Sequence, residues 1–347
     1  MGRRFRGAGL VALLLAGACR DESPEPGAAP PSTASETTGS NEATPSSATG
    51  PSSVKPPVLP VGPAWNRDFP DPFILWTDQG HAAAATASGL LQVQGLLSPG
   101  LTDWTGPVEM LAEAPAWATP YSTWAPALLR VHDGYLLYYT AEVAGTDRHC
   151  ISVARAATVD TPFVDVQAEP LICPVAAGGA IDPSPLRDDD GRLYLLWKND
   201  GITLRRESAI WSQRLTDDGL DVAGDPVRLI GTDQNWEYPH VEAPSMVHVG
   251  ADYWLAYSGN WWNQAAYGIG LAHCESPLGP CEKPFSGPIV ASAPGREGPG
   301  GGEFFRDGSG RLLMAFHAWL DEPGYPGHRA LHIATVSFDP QVAITPS

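Results

Sequence analysis

The segment Asp68-Phe-Pro-Asp-Pro-Phe-Ile-Leu75 sets one carboxylate, Asp71, between two prolines and directly ahead of an apolar run. Proline fixes its own φ and restricts the residue before it, which biases Asp71 toward extended geometry at a strand entrance. Taken alone the stretch is also an ordinary turn before a strand, because Asp and Pro are common turn residues. Recurrence gives it more meaning. Asp71-Pro-Phe-Ile-Leu-Trp-Thr-Asp-Gln-Gly80 is echoed by Ala125-Pro-Ala-Leu-Leu-Arg-Val-His-Asp-Gly134 and Asp182-Pro-Ser-Pro-Leu-Arg-Asp-Asp-Asp-Gly191. Ala243-Pro-Ser-Met-Val-His-Val-Gly250 and Gly302-Glu-Phe-Phe-Arg-Asp-Gly-Ser-Gly310 follow. Each has a short start, an apolar strand and a polar turn, and most lead into an aromatic and aliphatic run such as Tyr135-Leu-Leu-Tyr-Tyr139 or Leu193-Tyr-Leu-Leu-Trp197. These are hairpin signatures.

Aligned at Pro72, Pro126, Pro183, Pro244 and Glu303, the copies recur every 54 to 61 residues. Such a step leaves room for about four strands per copy, as in a propeller blade. An all-β, five-bladed β-propeller over residues 61–347 is the economical reading; a sandwich would not demand so even a repeat of paired strands. In a propeller the first strand of each blade lines the central channel, so Asp71 and Asp182 occupy one position in blades one and three. Glu242 lies one residue before that position in blade four. Three carboxylates gathered at one end of an axis make a poor stability device, because like charges raise one another's pKa. The arrangement suits a site in which one carboxylic acid stays protonated beside an ionised one.

The composition agrees with a carbohydrate site and excludes a nucleic-acid one. The chain has 347 residues, with 21 basic against 39 acidic side chains and a net charge of -18. A phosphate backbone is bound by Lys and Arg clusters, and no basic run occurs beyond the N-terminus. The 12 Trp and 10 Tyr suit stacking on neutral, hydroxylated rings.

The first residues have a separate task. Arg3, Arg4 and Arg6 precede an apolar run from Ala8 to Ala18 that is too short to span a bilayer, the layout of a secretory signal over residues 1–18. It ends in Leu15-Ala-Gly-Ala-Cys19, which resembles a bacterial lipobox with Ala16 where Leu is usual, so Cys19 is the expected lipidation site and simple secretion the alternative. Residues 19–60 are rich in Ser, Thr, Pro, Gly and Glu and read as a disordered tether. The expected location is the cell envelope, with the lipid as the only membrane contact. Cys150 with Cys173 and Cys274 with Cys281 form two neighbouring pairs, read as disulfides in an exported chain. Metal binding is the alternative, but no zinc spacing is present.

Several motifs together carry a family resemblance. Phe69-Pro-Asp-Pro-Phe73, Trp124-Ala-Pro126, Ile181-Asp-Pro183, Val241-Glu-Ala-Pro-Ser245, Tyr257-Ser-Gly-Asn-Trp-Trp262 and Phe316-His-Ala-Trp319 resemble the ordered motifs of family 43 glycoside hydrolases. The resemblance implies a five-bladed propeller that hydrolyses arabinan, arabinoxylan or derived oligosaccharides with inversion. It assigns Asp71 as general base, Glu242 as general acid, and Asp182 as the group that orients the acid and raises its pKa. An inverting pair stands roughly 6.5–9.5 Å apart to admit water.

Around these residues, Trp124, Trp261, Trp262 and Tyr238 are candidate sugar platforms and Asn260 a candidate hydroxyl partner. Trp104, in Leu101-Thr-Asp-Trp104, reads as structural. The resemblance also implies that His317 reaches the channel centre and holds a structural calcium or other ion there through waters; no cofactor is otherwise required. Gly301 stands where many relatives carry a histidine, and Glu303 either compensates or is exposed. The expected activity is an exo-acting α-L-arabinofuranosidase working as a monomer. Endo-α-1,5-arabinanase and β-xylosidase are the nearest competitors, and a non-catalytic carbohydrate-binding propeller is the competitor of another class. A sialidase is disfavoured, since carboxylate sugars call for an arginine cluster that the strand starts lack.

Overall fold

Five antiparallel sheets follow one another along the chain, each made of consecutive strands. They are seen in a computed structural model that describes residues 58–201, 204–339 and 341–347. The signal segment, Cys19 and the tether up to residue 57 lie outside the described residues. Blade one comprises Phe73–Thr77, Gly80–Ala85, Gln94–Ser98 and Thr105–Glu109; blade two comprises Ala118–Val131, Gly134–Val143 and His149–Ala156. Blade three is Ala180–Arg187, Leu193–Asn199, Ala209–Arg214 and Val227–Gly231. Blade four is Val241–Val249, Asp252–Gly259, Gly268–Cys274 and Cys281–Glu282, and blade five is Glu297–Arg306, Leu312–Trp319, Arg329–Ser337 and Ala343–Pro346. Blade two has three strands, and in place of a fourth its edge carries isolated bridges, Ile151 with Ile172 and Arg155 with Val164. The first strand of each blade packs on those of its neighbours, and blade five returns to blade one.

No single core exists. Five hydrophobic clusters sit as wedges, one between each pair of adjacent blades. The two-residue period of a strand explains how one segment serves two wedges. Phe73, Ala82 and Ala84 face blade two, while Ile74, Ala83 and Ala85 face blade five. A blade buried on both faces reads as a continuous apolar run, which is why Gly80–Ala85 has no exposed position.

The ring is closed where the segment Gly62–Trp65 meets blade five and the C-terminal Ser347. The Ala64 N–H donates to the Leu331 carbonyl at 2.8 Å, the Leu331 N–H to Trp65 at 3.1 Å, and the Gly62 N–H to Ser347 at 3.2 Å. Leu59, Ala64 and Trp65 pack on the wedge between blades five and one. Both expected disulfides, Cys150–Cys173 and Cys274–Cys281, are formed.

A β-bulge interrupts the inner strand of four blades at one place. Pairing skips from Trp124 to Ala127, Ile181 to Ser184, Glu242 to Ser245 and Gly300 to Glu303. At each bulge one residue has positive φ: Ala125 (43°), Asp182 (57°), Ala243 (51°) and Gly301 (61°), with Asp71 (52°) in blade one. Asp71 is left-handed rather than extended as the flanking prolines suggested, because the chain makes the same turn ahead of the inner strand of blade one, where the Thr86 N–H donates to the Pro70 carbonyl at 3.1 Å, and this local geometry outweighs the pre-proline bias. The residue after the left-handed one has no ladder bond to donate, which is why proline is tolerated there. The same register corrects blade five, where Gly302 rather than Glu303 takes the proline position.

Replacing Ala64 with proline removes the 2.8 Å ring-closing hydrogen bond. The expected cost is about 1 kcal/mol, read as a lower urea midpoint at unchanged m-value. An unchanged midpoint would contradict the closing role of this segment.

Candidate active site

The bulges aim side chains into a cavity of about 350 Å³ at one end of the channel, and Asp71, Asp182 and Glu242 all line it. A bulge turns one residue out of the pleat and re-aims it, so the left-handed Asp182 reaches the axis without disrupting the strand below, and the left-handed Asp71 does so from the turn ahead of its strand. Their short polar side chains tolerate this backbone region better than most.

Asp71 is held from three directions. Its Oδ2 accepts from the Thr86 hydroxyl at 2.7 Å, its Oδ1 lies 3.4 Å from Arg329 Nη1, and its own N–H donates to His317 Nδ1 at 3.0 Å. Thr86 in turn accepts from the Ala125 N–H at 2.9 Å, tying the left-handed turns of blades one and two. The Arg329 guanidinium lies 4.8 Å from the Trp262 ring and 5.7 Å from that of Trp319, so it is fixed by cation–π contact.

Glu242 has a different setting. Its Oε2 accepts from Lys198 Nζ at 2.9 Å and lies 3.4 Å from His240 Nε2, while its Oε1 accepts from the Tyr267 hydroxyl at 2.8 Å. Burial opposes its charge, but the Lys198 ammonium and then His240 prevail and hold it well below the usual carboxylate range. Asp182 accepts from the Ala243 N–H at 2.9 Å. Burial first, then the Glu242 charge, pushes it up to about 7. The two carboxylates are therefore separated as expected, but in the opposite sense: in the free site the proton favours Asp182, because the ammonium contacts Glu242.

Trp124, Trp261 and Trp262 line the cavity as expected. Trp124 stacks on His149 at 3.8 Å, Trp261 meets His240 edge-on at 4.9 Å, and Trp262 stacks on Trp319 at 5.9 Å. Tyr238 and Asn260 do not line it. Tyr238 is 73% exposed, at the end of the short 3-10 turn Asn235–Glu237. The Asn260 side chain is spent on the backbone, accepting from the Trp261 N–H at 2.8 Å and donating to the Trp236 carbonyl at 3.2 Å. With a φ of 80° it shapes a turn, a role asparagine suits. Trp104 is buried and donates to Leu101, a structural role.

His317 reaches the channel, and its ring is not arranged to ligate an ion directly. Burial drives its pKa down to about 3, and Nδ1 accepts the Asp71 N–H, so the neutral ring carries its proton on Nε2. That nitrogen is a donor, with no partner among the described residues. No group of three His, Cys, Asp or Glu among the described residues is arranged to hold a metal. Gly301 is also accounted for: a Cβ there would sit 3.0 Å from His317 Nδ1 and 3.3 Å from Asp71 Cα. Glu303 is not exposed. It accepts from the Ser184 hydroxyl at 3.0 Å in a smaller chamber bordered by Asp71, Asp182 and Gly301, and burial pushes it up to about 8.

Thr86, Lys198, Asp200, His240, Tyr267, Tyr325 and Arg329 also line the cavity. Of these, Lys198 left a signal in the sequence: it ends the apolar run Leu193-Tyr-Leu-Leu-Trp197, and lysine is almost never fully buried unless paired.

The chain belongs to glycosyl hydrolases family 43, whose family model matches residues 61–341. Among solved structures it is similar to a thermostable family-43 glycoside hydrolase, at 26% identity over 83% of this chain and 96% of the other with a TM-score of 0.73. It is also similar to an endo-1,4-β-xylanase from Bacteroides thetaiotaomicron, at 26% identity over 83% and 97% with a TM-score of 0.70. An exo-1,5-α-L-arabinanase from a bovine ruminal metagenomic library shares the fold at 20% identity over 83% and 99%, with a TM-score of 0.64. No curated protein sequence matches the chain.

Glu303 provides a test of the channel electrostatics. Its folded pKa of about 8 stands above the ordinary 4.5, so the native state holds more protons between these values and this group costs stability as pH rises. Glu303→Gln is expected to match the native chain near pH 5 and exceed it at pH 8 by on the order of a few kcal/mol. A difference in denaturation midpoint that does not change across this window would contradict the assignment.

Proposed function

We propose that the protein is an inverting, exo-acting α-L-arabinofuranosidase that works on arabinan, arabinoxylan or their oligosaccharides. The observation that carries this reading is the convergence of Asp71, Asp182 and Glu242, from three blades, on one cavity with different partners for each. Asp71, an acceptor held between the Thr86 hydroxyl and the Arg329 guanidinium, takes a proton from water as that water attacks the anomeric carbon. Glu242 gives a proton to the leaving glycosidic oxygen. Asp182 supplies the neighbouring site for that proton, and its transfer to Glu242 accompanies substrate binding. Arg329, fixed on Trp262 and Trp319, keeps Asp71 in place.

Exo action is supported by the cavity itself. Its volume is near the lower end of ligand pockets, about 300–1,000 Å³, and Trp124, Trp261, Trp262 and Tyr325 surround it with rings. Such walls suit one terminal sugar better than the middle of a chain. The likeness to the endo-1,4-β-xylanase favours a β-xyloside as the second reading of the substrate.

The test is hydrolysis of aryl α-L-arabinofuranoside, aryl β-D-xyloside and debranched arabinan by the native chain and its Asp71→Asn and Glu242→Gln forms. Losing an acid or base costs about 100- to 10,000-fold. Asp71→Asn is expected to lose activity on every substrate, and Glu242→Gln to lose far more on arabinan than on aryl substrates, whose leaving group needs little protonation. Preferential xylose release would replace the proposed sugar, and full activity in Asp71→Asn would remove the proposed base.

A further inference from the structure

The cavity holds a fourth carboxylate that the proposed chemistry does not use. Asp200 follows the strand Leu193–Asn199, where alternation sends residues 198 and 200 one way and 199 the other. Lys198 reaches Glu242. Asn199 is consumed on the opposite side, its Oδ1 accepting from the Ala209 N–H at 2.9 Å and the Trp211 indole at 3.1 Å. Asp200 lines the cavity with its side chain only 13% exposed. Its backbone is fixed, since its N–H donates to Gly179 at 3.0 Å. Its carboxylate oxygens receive no hydrogen bond from any described residue; His149 Nδ1 lies 3.4 Å away.

His149 couples this carboxylate to an aromatic plane. Its buried ring stacks on Trp124, with centroids 3.8 Å apart and planes 25° from parallel. Trp124 is 37% exposed and lines the cavity, so one face of the indole rests on the imidazole and the other is left for a ligand. A rigid aromatic face thus stands next to a nearly buried carboxylate with free acceptor capacity. An ionised carboxylate has only acceptors, on two oxygens, and a buried acceptor without a donor is costly. A sugar ring supplies what is missing: apolar C–H groups for the indole and hydroxyl donors for the carboxylate. The two buried cations of the cavity are engaged elsewhere, Lys198 with Glu242 and Arg329 with Asp71. A sugar bearing its own carboxylate would meet Asp200 without a free cation.

We propose that Asp200 is a substrate-binding residue whose carboxylate accepts hydrogen bonds from two adjacent hydroxyls of the sugar ring stacked on Trp124, so that the site selects neutral, unsubstituted sugars and rejects uronic acids. The proposal rests on the glycosidase reading. It deepens that reading by assigning the acceptor that sorts substrates. A site built to hydrogen-bond a hydroxyl discriminates strongly against a ligand that lacks it, because the site's polar group is then left unpaired.

The test is calorimetric binding of L-arabinose, D-xylose, D-glucuronate and D-galacturonate to the native chain, Asp200→Ala and Asp200→Asn, together with KM and kcat on the aryl glycosides. The native chain is expected to bind a pentose and neither uronate. Asp200→Ala should weaken pentose binding at least tenfold, mainly in KM, and Asp200→Asn should recover part of it while admitting uronates. This change in preference is a readout that a merely structural aspartate would not produce, and the two variants guard against a failure to fold. Native pentose affinity and unchanged uronate exclusion in a folded Asp200→Asn would overturn the proposal alone. Pentose binding without turnover in the native chain would sink the hydrolase reading while the binding data still decide on Asp200. No binding of any sugar would sink both.

Discussion

The left-handed residue at the head of each inner strand, set in a bulge in four of the five blades, is the constraint on which the rest depends. A propeller strand buries both faces in the wedges between blades, so a polar side chain anywhere along it would displace core. This turn releases one residue from that alternation, at the cost of a left-handed backbone in Asp71, Ala125, Asp182 and Ala243. Each non-glycine residue held in that region costs of order 1–3 kcal/mol. The wedges on either side of every blade supply the packing that maintains it. Strain at the rim and continuous apolar packing below it are two parts of one arrangement.

That arrangement gathers acidic groups in a place where charge is costly, and the protein resolves the conflict differently at each one. Asp71 has a hydroxyl and a guanidinium, Glu242 has an ammonium and a phenol, and Asp182 and Glu303 tend to keep their protons. Lys198 decides the order within the acid pair. Its contact with Glu242 favours the charge there and leaves the proton with Asp182. A buried ion pair adds little net stability, yet losing one partner strands a charge and costs several kcal/mol. Lys198 therefore matters less as an anchor for the fold than as the group that sets where a proton rests.

Much of this was legible in the chain. Repeated apolar segments with even spacing gave the blade count, since two-sided burial writes itself as uninterrupted apolar residues. The three carboxylates were legible because their offsets from the repeat position placed them at one end of one axis. Three-dimensional detail escaped for specific reasons. Proline after Asp71 suggested an extended residue, because the left-handed turn is held by pairing between two segments and is not a property of one. Asn260, a polar residue among aromatics, reads as a ligand contact, whereas its amide closes its own turn. Arg329 and Tyr325 carry no local signal, because they come from the far end of the chain and reach the site only when blade five closes against blade one.

In the proposed reaction Asp71 and Glu242 act on opposite sides of a sugar, one activating water and the other protonating the departing oxygen. The most direct measurement is the configuration of the first sugar released, followed by proton NMR on an aryl α-L-arabinofuranoside before mutarotation. The β-anomer of arabinose is expected to appear first, because water attacks from the face opposite the leaving group. First appearance of the α-anomer would mean retention through a covalent intermediate, and would contradict the assignment of Asp71 as a base acting through water.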